Sequence, residues 1–420
     1  MHRPVAVFLV TISLGLAGCA PSGGEYAGLI HPEVLAKAEL QYYWHVRLQL
    51  DRGEEIARMR LVGDRLYCLT NRNRLLALDA ARGVSIWSQV LPRPPQKVFG
   101  PVHADKLAIP PRLRVQTAPG ARPEPAKPFD AVILNTLSEI LVLDRSTGEL
   151  VARISFGFPA CTAGAVDAAV EAGGEPGPAE HYFLASLRGW YYGINLTTGL
   201  QDWGMPTGGF VSAAPAFYNG IVYVAGEDNV LYATKADRYA VALWSSQSLD
   251  SQQMHGPVTA SIHVDARGCF VPCRDGRLYA FDRLTGKPLW EPFVCQKPLV
   301  DDIQVGENSV FQLAQGDSFY AVDIANGWKR WSMPEGIQIL AVTRNLTSRA
   351  YLLDSAGSIR VVEEMTGKVE AILPMTGLDR FLPNATVPAI YAATRKGRIV
   401  CIRPSTAGYL TPEAFKHRSY

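Results

Sequence analysis

One short pattern recurs along the chain and leaves few folds open to it. Residues 276–290 read GRLYAFDRLTGKPLW. Leu278 and Ala280 alternate with Tyr279 and Phe281, so both faces of this stretch are apolar and both need cover. The Asp282 carboxylate can accept from the N–H groups that follow it, and Gly286 can take a positive φ, which predicts a turn over 282–286. A second strand is then expected over 287–290, ending in Trp290, a ring that needs a wall to pack on. Two strands cannot bury that much surface alone, so the unit requires neighbours of its own kind.

The neighbours are present. Asp79, Gly83 and Trp87 repeat the spacing; Asp144 and Gly148 repeat it without a Trp. Asn195, Gly199 and Trp203 follow, then a worn copy with Lys235, Tyr239 in the Gly place and Trp244 one position late. Asp323, Gly327 and Trp331 restore the pattern, Glu363 and Gly367 keep half of it, and Arg403 marks the last copy. The turn position advances through 79, 144, 195, 235, 282, 323, 363 and 403, the last three steps being 41, 40 and 40 residues. A period near 40 with four short strands per repeat predicts an all-β, eight-bladed β-propeller of four-stranded antiparallel blades. Each Trp is placed to wedge between adjacent blades.

The two ends complement each other. Residues 41–46 (QYYWHV) form a strand with Trp44 but no preceding turn, whereas the last copy, 398–403, has no Trp-bearing strand after it. The N-terminal strand, 42–48, is therefore expected to close the ring as the outer strand of the eighth blade, which removes two exposed sheet edges. Upstream, a short basic start and an apolar run over 5–16 end in Leu16-Ala17-Gly18-Cys19. This looks like a bacterial lipobox, with Cys19 as the lipidated first residue of the mature chain and Ala20 as a residue compatible with outer-membrane delivery. The expected organisation is a lipoprotein signal peptide over 1–19, a tether over 20–40, the propeller over 41–411 and a tail over 412–420.

A net charge of +2 gives no basic surface of the kind nucleic-acid binding needs, and 48% hydrophobic residues fit a large core. Besides Cys19, cysteines occur at 68, 161, 269, 273, 295 and 401. Cys269 and Cys273, four apart in one strand, would be about 13 Å apart at ~3.3 Å per residue, too far for a bridge. The six read as small buried hydrophobes, and neither they nor the eight His show metal-ligand spacing. Two inserts lengthen the early repeats: 110–128, Pro-rich with Arg112, Arg114, Arg122 and Lys127, and 171–180, Gly/Pro-rich with Glu171, Glu175 and Glu180. Both interrupt the connection between a blade's first and second strands, so strand parity puts them on one face, that of the Asp–Gly turns. They read either as solvated loops or, with their opposite charges held together as a small lobe, as the mark of a docking surface on that face; their replacement by short turns is expected to leave folding intact in either case.

The repeat resembles the tryptophan-docking motif, close to AxDxxTGxxxW, of the pyrroloquinoline-quinone (PQQ) propeller superfamily, over about residues 41–411. That resemblance raises two functions. Quinoprotein dehydrogenases of this superfamily stack PQQ under a disulfide of adjacent cysteines and hold Ca²⁺ nearby; this chain has no adjacent Cys pair. Asp301, Asp302 and His255 are the residues that could face the central channel. The lipobox, the length and the missing quinone pocket are similar instead to the propeller lipoproteins of outer-membrane β-barrel assembly. The resemblance implies a non-catalytic scaffold without cofactor or metal, a monomeric ring that binds other proteins at the periplasmic side of the outer membrane. A PQQ- or ligand-binding propeller is the alternative, and the spectrum after adding PQQ and Ca²⁺ separates the two.

Overall fold

The computed structural model describes residues 29–92, 96–115, 126–167, 178–248, 253–344, 348–411 and 413–416. They form eight four-stranded antiparallel sheets arranged as blades. Blades 1 to 7 span 56–90, 99–155, 165–206, 216–245, 263–294, 304–333 and 336–374. Blade 8 takes its inner three strands from 380–404 and its outer strand from Leu40–Arg47. Leu40 pairs with Pro404 and Arg47 with Arg398, so the two ends of the chain close the ring as the complementary truncation predicts. Every inner strand runs toward the face that carries the Asp–Gly turns, here the turn face. The connections between blades lie on the opposite face.

The turns form as the residue types dictate. Asp79 Oδ1 accepts from the N–H groups of Ala81 and Arg82, both at 2.9 Å. Asp144 does the same for Ser146 and Thr147, and Asp282 for Leu284 and Thr285. Asp323 holds Ala325, and Asn195 replaces the acid with its amide oxygen, accepting from Thr197 and Thr198. The closing glycine leaves a bare platform, and the Trp of the preceding blade lies on it. A Cβ at Gly83 would meet the Trp44 ring at 2.5 Å, one at Gly148 the Trp87 ring at 2.4 Å, and those at Gly327 and Gly367 the rings of Trp290 and Trp331 at 2.5 Å. Each indole N–H then donates across the blade boundary to the carbonyl one residue past the turn acid. Trp44 reaches Ala80, Trp87 reaches Arg145, Trp244 reaches Arg283, Trp290 reaches Ile324 and Trp331 reaches Glu364. Trp203 is the exception, buried with no partner for its Nε1 among the described residues. The blade it faces has Lys235 for the acid and a longer turn, and Ala240, not Tyr239, adopts the left-handed φ of +49°.

Two blades lack the Trp, and the structure fills both gaps from elsewhere. In blade 2 the position opposite Val142 is Ala152. The start of the first insert folds back along this outer strand through a bridge from Arg114 to Ala152 and a bond from Val115 N–H to the Val151 carbonyl at 2.8 Å. Leu113, at the end of the short 3₁₀ helix Pro111–Leu113, thereby takes the platform of Gly199, where a Cβ would lie 2.9 Å from its Cδ2. In blade 7 the position opposite Val361 is Ala371. Here the helix Pro32–Ala36 and the residues before it supply the apolar mass: Leu29, Ile30 and the fully buried Leu35 pack with Ala371, Tyr351, Ile390 and Ile402. The second half of the expected tether is thus part of the core, tied further by Tyr42 OH to the Ile30 carbonyl at 2.9 Å. At the other end, the expected tail contributes Phe415, buried against blades 8 and 1.

Other expectations need correction. In blade 5 no strand covers 287–290; the outer strand is Phe293–Val294, with only a bridge from Phe281 to Pro288 before it. Pro288 and Pro292 have no N–H to donate, which breaks the ladder there. The inserts do leave on the turn face in neighbouring positions, since Ala179 N–H donates to the Asp105 carbonyl at 3.0 Å. Yet the first insert carries Leu113 and is part of the packing, so it cannot be exchanged for a short turn without cost. Among the described residues no ion pair joins the two inserts: Arg114 Nε donates to the Ile109 carbonyl instead. Arg122, Glu171 and Glu175 lie outside the described residues, as does Cys19 with the whole 1–19 segment. The cysteines at 68, 161, 269, 273, 295 and 401 all carry free thiols. Burial pushes the Cys68 thiol up to about 12 and that of Cys161 up to about 11.

At the base of the second insert, His181 bridges two acids: Nδ1 lies 2.8 Å from Asp167 and Nε2 3.0 Å from Asp202. Burial pulls its pKa down, but the two carboxylates outweigh burial and hold it above the ordinary value. A raised folded-state pKa gives stability that is full below the unfolded value, about 6.5, and is lost as pH rises through the folded value. His181→Gln is therefore expected to cost more stability near pH 5 than near pH 8, measured as the shift in denaturant midpoint. Equal losses at both would show that His181 is neutral in the native state.

Candidate protein-docking surface

The face opposite the turns carries a run of aromatic and aliphatic side chains over blades 2 to 4. It begins where the chain crosses from blade 2 to blade 3. Phe156 N–H donates to the Ser138 carbonyl at 3.0 Å and Ala160 N–H to that of Leu137 at 2.9 Å, which pins this crossing to the blade 2 turn. Phe156 and Phe158 lie 4.7 Å apart, Phe158 stacks on Tyr192 at 3.7 Å, and Tyr192 neighbours Trp190 at 6.3 Å. Offset and tilted ring pairs of this kind hold each other in place without a hydrogen bond.

The ladder is flanked by side chains that the fold leaves open: Leu137 at 45%, Leu187 at 48%, Trp190 at 39% and Phe210 at 59% exposure. Phe210 stands on a loop that is held firmly. Its carbonyl accepts from Glu227 N–H at 2.7 Å, and Gly208 N–H donates to Asp228 Oδ2 at 2.7 Å. Tyr232 OH also donates to Asp228, at 2.5 Å; burial together with that carboxylate pushes the phenol up to about 12, so it remains a donor. Gly189 has φ +73°, and a Cβ there would meet the Gly209 carbonyl at 2.8 Å, which lets the two loops touch. The result is an apolar patch on rigid supports, with Arg153, Arg188, Glu227 and Asp228 near its edge. Contiguous exposed apolar surface of this kind marks a protein-binding site more often than isolated exposed residues do.

The residues singled out for cofactor chemistry do not converge. Asp302 lines the central channel and accepts from Ser261 N–H at 2.7 Å, but Asp301 turns away to Gln315 Nε2 at 2.9 Å. His255 is not on the channel wall; it belongs to the connection before blade 5, where its N–H donates to Asp275. Among the described residues no three His, Cys, Asp or Glu side chains gather as a metal site would require. The patch itself escaped sequence reasoning, because Leu187 and Phe210 fall in connections outside the repeat and Trp190 opens a middle strand at a position the repeat pattern does not mark. The available signal was apolar side chains at turn positions, in SLRGW over 186–190 and GGFVS over 208–212.

Comparison with known proteins bears on the whole ring. The family described as outer membrane protein assembly factor BamB matches residues 137–292 and 241–410, well over half of the chain. The chain belongs to this family. No curated protein matches it. Among solved structures it is similar to BamB from Moraxella catarrhalis, with a TM-score of 0.58, 14% identity, and coverage of 88% of this chain and 99% of that one. It is similar also to the computationally designed Ika8 protein, with a TM-score of 0.57, 15% identity, and coverage of 84% and 98%. At such identities the likeness concerns the fold, and it agrees with the eight blades. The match begins at 137, inside blade 2, and runs over blades 3 to 7 and the three inner strands of blade 8, including Leu187, Trp190 and Phe210.

Proposed function

We propose that this protein is a non-catalytic scaffold of outer-membrane protein assembly, held at the periplasmic side of the outer membrane by a lipid on Cys19. It takes no quinone or metal, acts as a single ring, and binds a protein partner through the face opposite the turns. One observation carries the reading: in a family named for outer-membrane protein assembly, this ring exposes Trp190 and Phe210 beside an aromatic ladder, on loops held by backbone hydrogen bonds. Aromatic anchors of this type dominate interface energies, and their neighbours mainly exclude water.

Trp190→Ala combined with Phe210→Ala is expected to reduce recovery of outer-membrane assembly proteins from solubilised membranes by at least about tenfold, with the melting transition unchanged. Undiminished recovery would move the partner to another surface. Cys19→Ser should shift the protein from the membrane to the soluble fraction; a variant still membrane-bound after a salt wash has its anchor elsewhere.

A further inference from the structure

The ring encloses an axial channel of about 760 Å³, within the size range of pockets that hold small ligands. Its wall is built from the inner strands and the turns beside them. Among the described lining residues the groups able to carry charge at neutral pH are few: Arg58, Arg60, His103, His263 and Asp302. His103 is held neutral. Its Nδ1 lies 3.3 Å from Arg145 Nη1 and so accepts, and burial with that guanidinium pushes its pKa down to about 3. His263 is occupied by Asp265 at 3.1 Å, which Arg267 also holds. Asp302 accepts from a backbone N–H, as described above.

That leaves two arginines. They are two residues apart on the inner strand Ile56–Val62, so both project from the same face of the blade into the channel. Arg58 is anchored, its Nη2 donating to the Val98 carbonyl at 2.6 Å. Arg60 makes no hydrogen bond and no ion pair with any described residue; its side chain lies exposed in the channel, within the field of Asp302. A guanidinium has five N–H donors and cannot shed its charge in a protein. Thr259 and Gln304, also on the wall, add side-chain donors with no described partner.

We propose that the channel binds a small multivalent oxyanion, with Arg60 as its principal ligand and Arg58 as the second positive charge. Phosphate and polycarboxylate share this chemistry: several oxygens in a plane or tetrahedron that a guanidinium can meet with paired N–H groups. The site lies on the axis, apart from the aromatic ladder, and does not depend on the scaffold reading. Asp302 opposes the anion.

The test is calorimetric titration of the full chain with sodium phosphate and, separately, sodium citrate, ionic strength being held with sodium chloride. Saturable one-to-one binding of either anion is expected, and the responding anion shows whether phosphate or carboxylate is preferred. Arg60→Gln should weaken it about tenfold or more, since charge-assisted hydrogen bonds are lost while no contact within the protein is broken. Asp302→Asn should tighten it. Arg395→Gln should leave it unchanged, because Arg395 lines a separate rim cavity with Arg47, Lys396 and Arg398. Absence of saturable heat with both anions, equal affinity in Arg60→Gln, or dependence on Arg395 instead would overturn the assignment.

Discussion

Alanine at Gly148 is expected to destabilise the ring several times more than alanine at Gly316, although the two glycines have nearly the same φ, +74° and +77°. Both substitutions put an L side chain in the left-handed region, which costs about 1–2 kcal/mol. At Gly316 nothing lies within 4 Å of the added Cβ, so the backbone term is the whole effect. At Gly148 the Cβ would lie 2.4 Å from the Trp87 ring, a distance no pair of carbons tolerates. The indole must leave its platform, losing its bond to the Arg145 carbonyl and the burial of a ring that is 7% exposed. Displacing a buried aromatic forfeits much of what its truncation would, about 3–5 kcal/mol. Denaturant midpoints of the two variants measure the difference, which isolates Trp docking from glycine's backbone role. Equal midpoints would show that the blades are held by their sheets alone.

The docking was legible in the sequence because each of its parts is local. An acid, a glycine four residues on and a Trp four beyond that fall within one turn and one strand, and they recur often enough to fix the blade count. Ring closure was legible for a related reason: Trp44 lacked a turn and the last repeat lacked a Trp. What the sequence hid are contacts between segments that share no period. Leu113 and Leu35 are single aliphatic residues in irregular stretches, and nothing in their neighbours says that Ala152 and Ala371 leave a gap beside them. The turn of blade 4 misled because an added residue moves the left-handed position from Tyr239 to Ala240, which only the backbone reveals. The aromatic ladder was hidden for the same cause. Phe158 and Tyr192 stack across a blade boundary, and no spacing within one repeat encodes a contact between two.

These hidden contacts make the N-terminal segment structural as well as connective, and Leu35→Ala is the variant that shows it. Leu35 is fully buried in the cluster between blades 7 and 8, in the space left by Ala371. Replacing it by alanine removes three of its four side-chain carbons, with an expected loss of about 2–5 kcal/mol that depends on how far the pocket collapses. Collapse should be limited here. The segment is pinned at Tyr42 OH to Ile30 and by Arg349, whose guanidinium reaches Glu39 and Glu370, both at 2.6 Å. Lys37→Ala on the exposed side of the same segment serves as the control and should stay within about 0.5 kcal/mol of the parent. Leu113→Ala, at a half-buried site, should fall between the two. If Leu35→Ala instead matches the control, the seventh and eighth blades close without the helix, and Ala371 leaves no gap that the fold needs to fill.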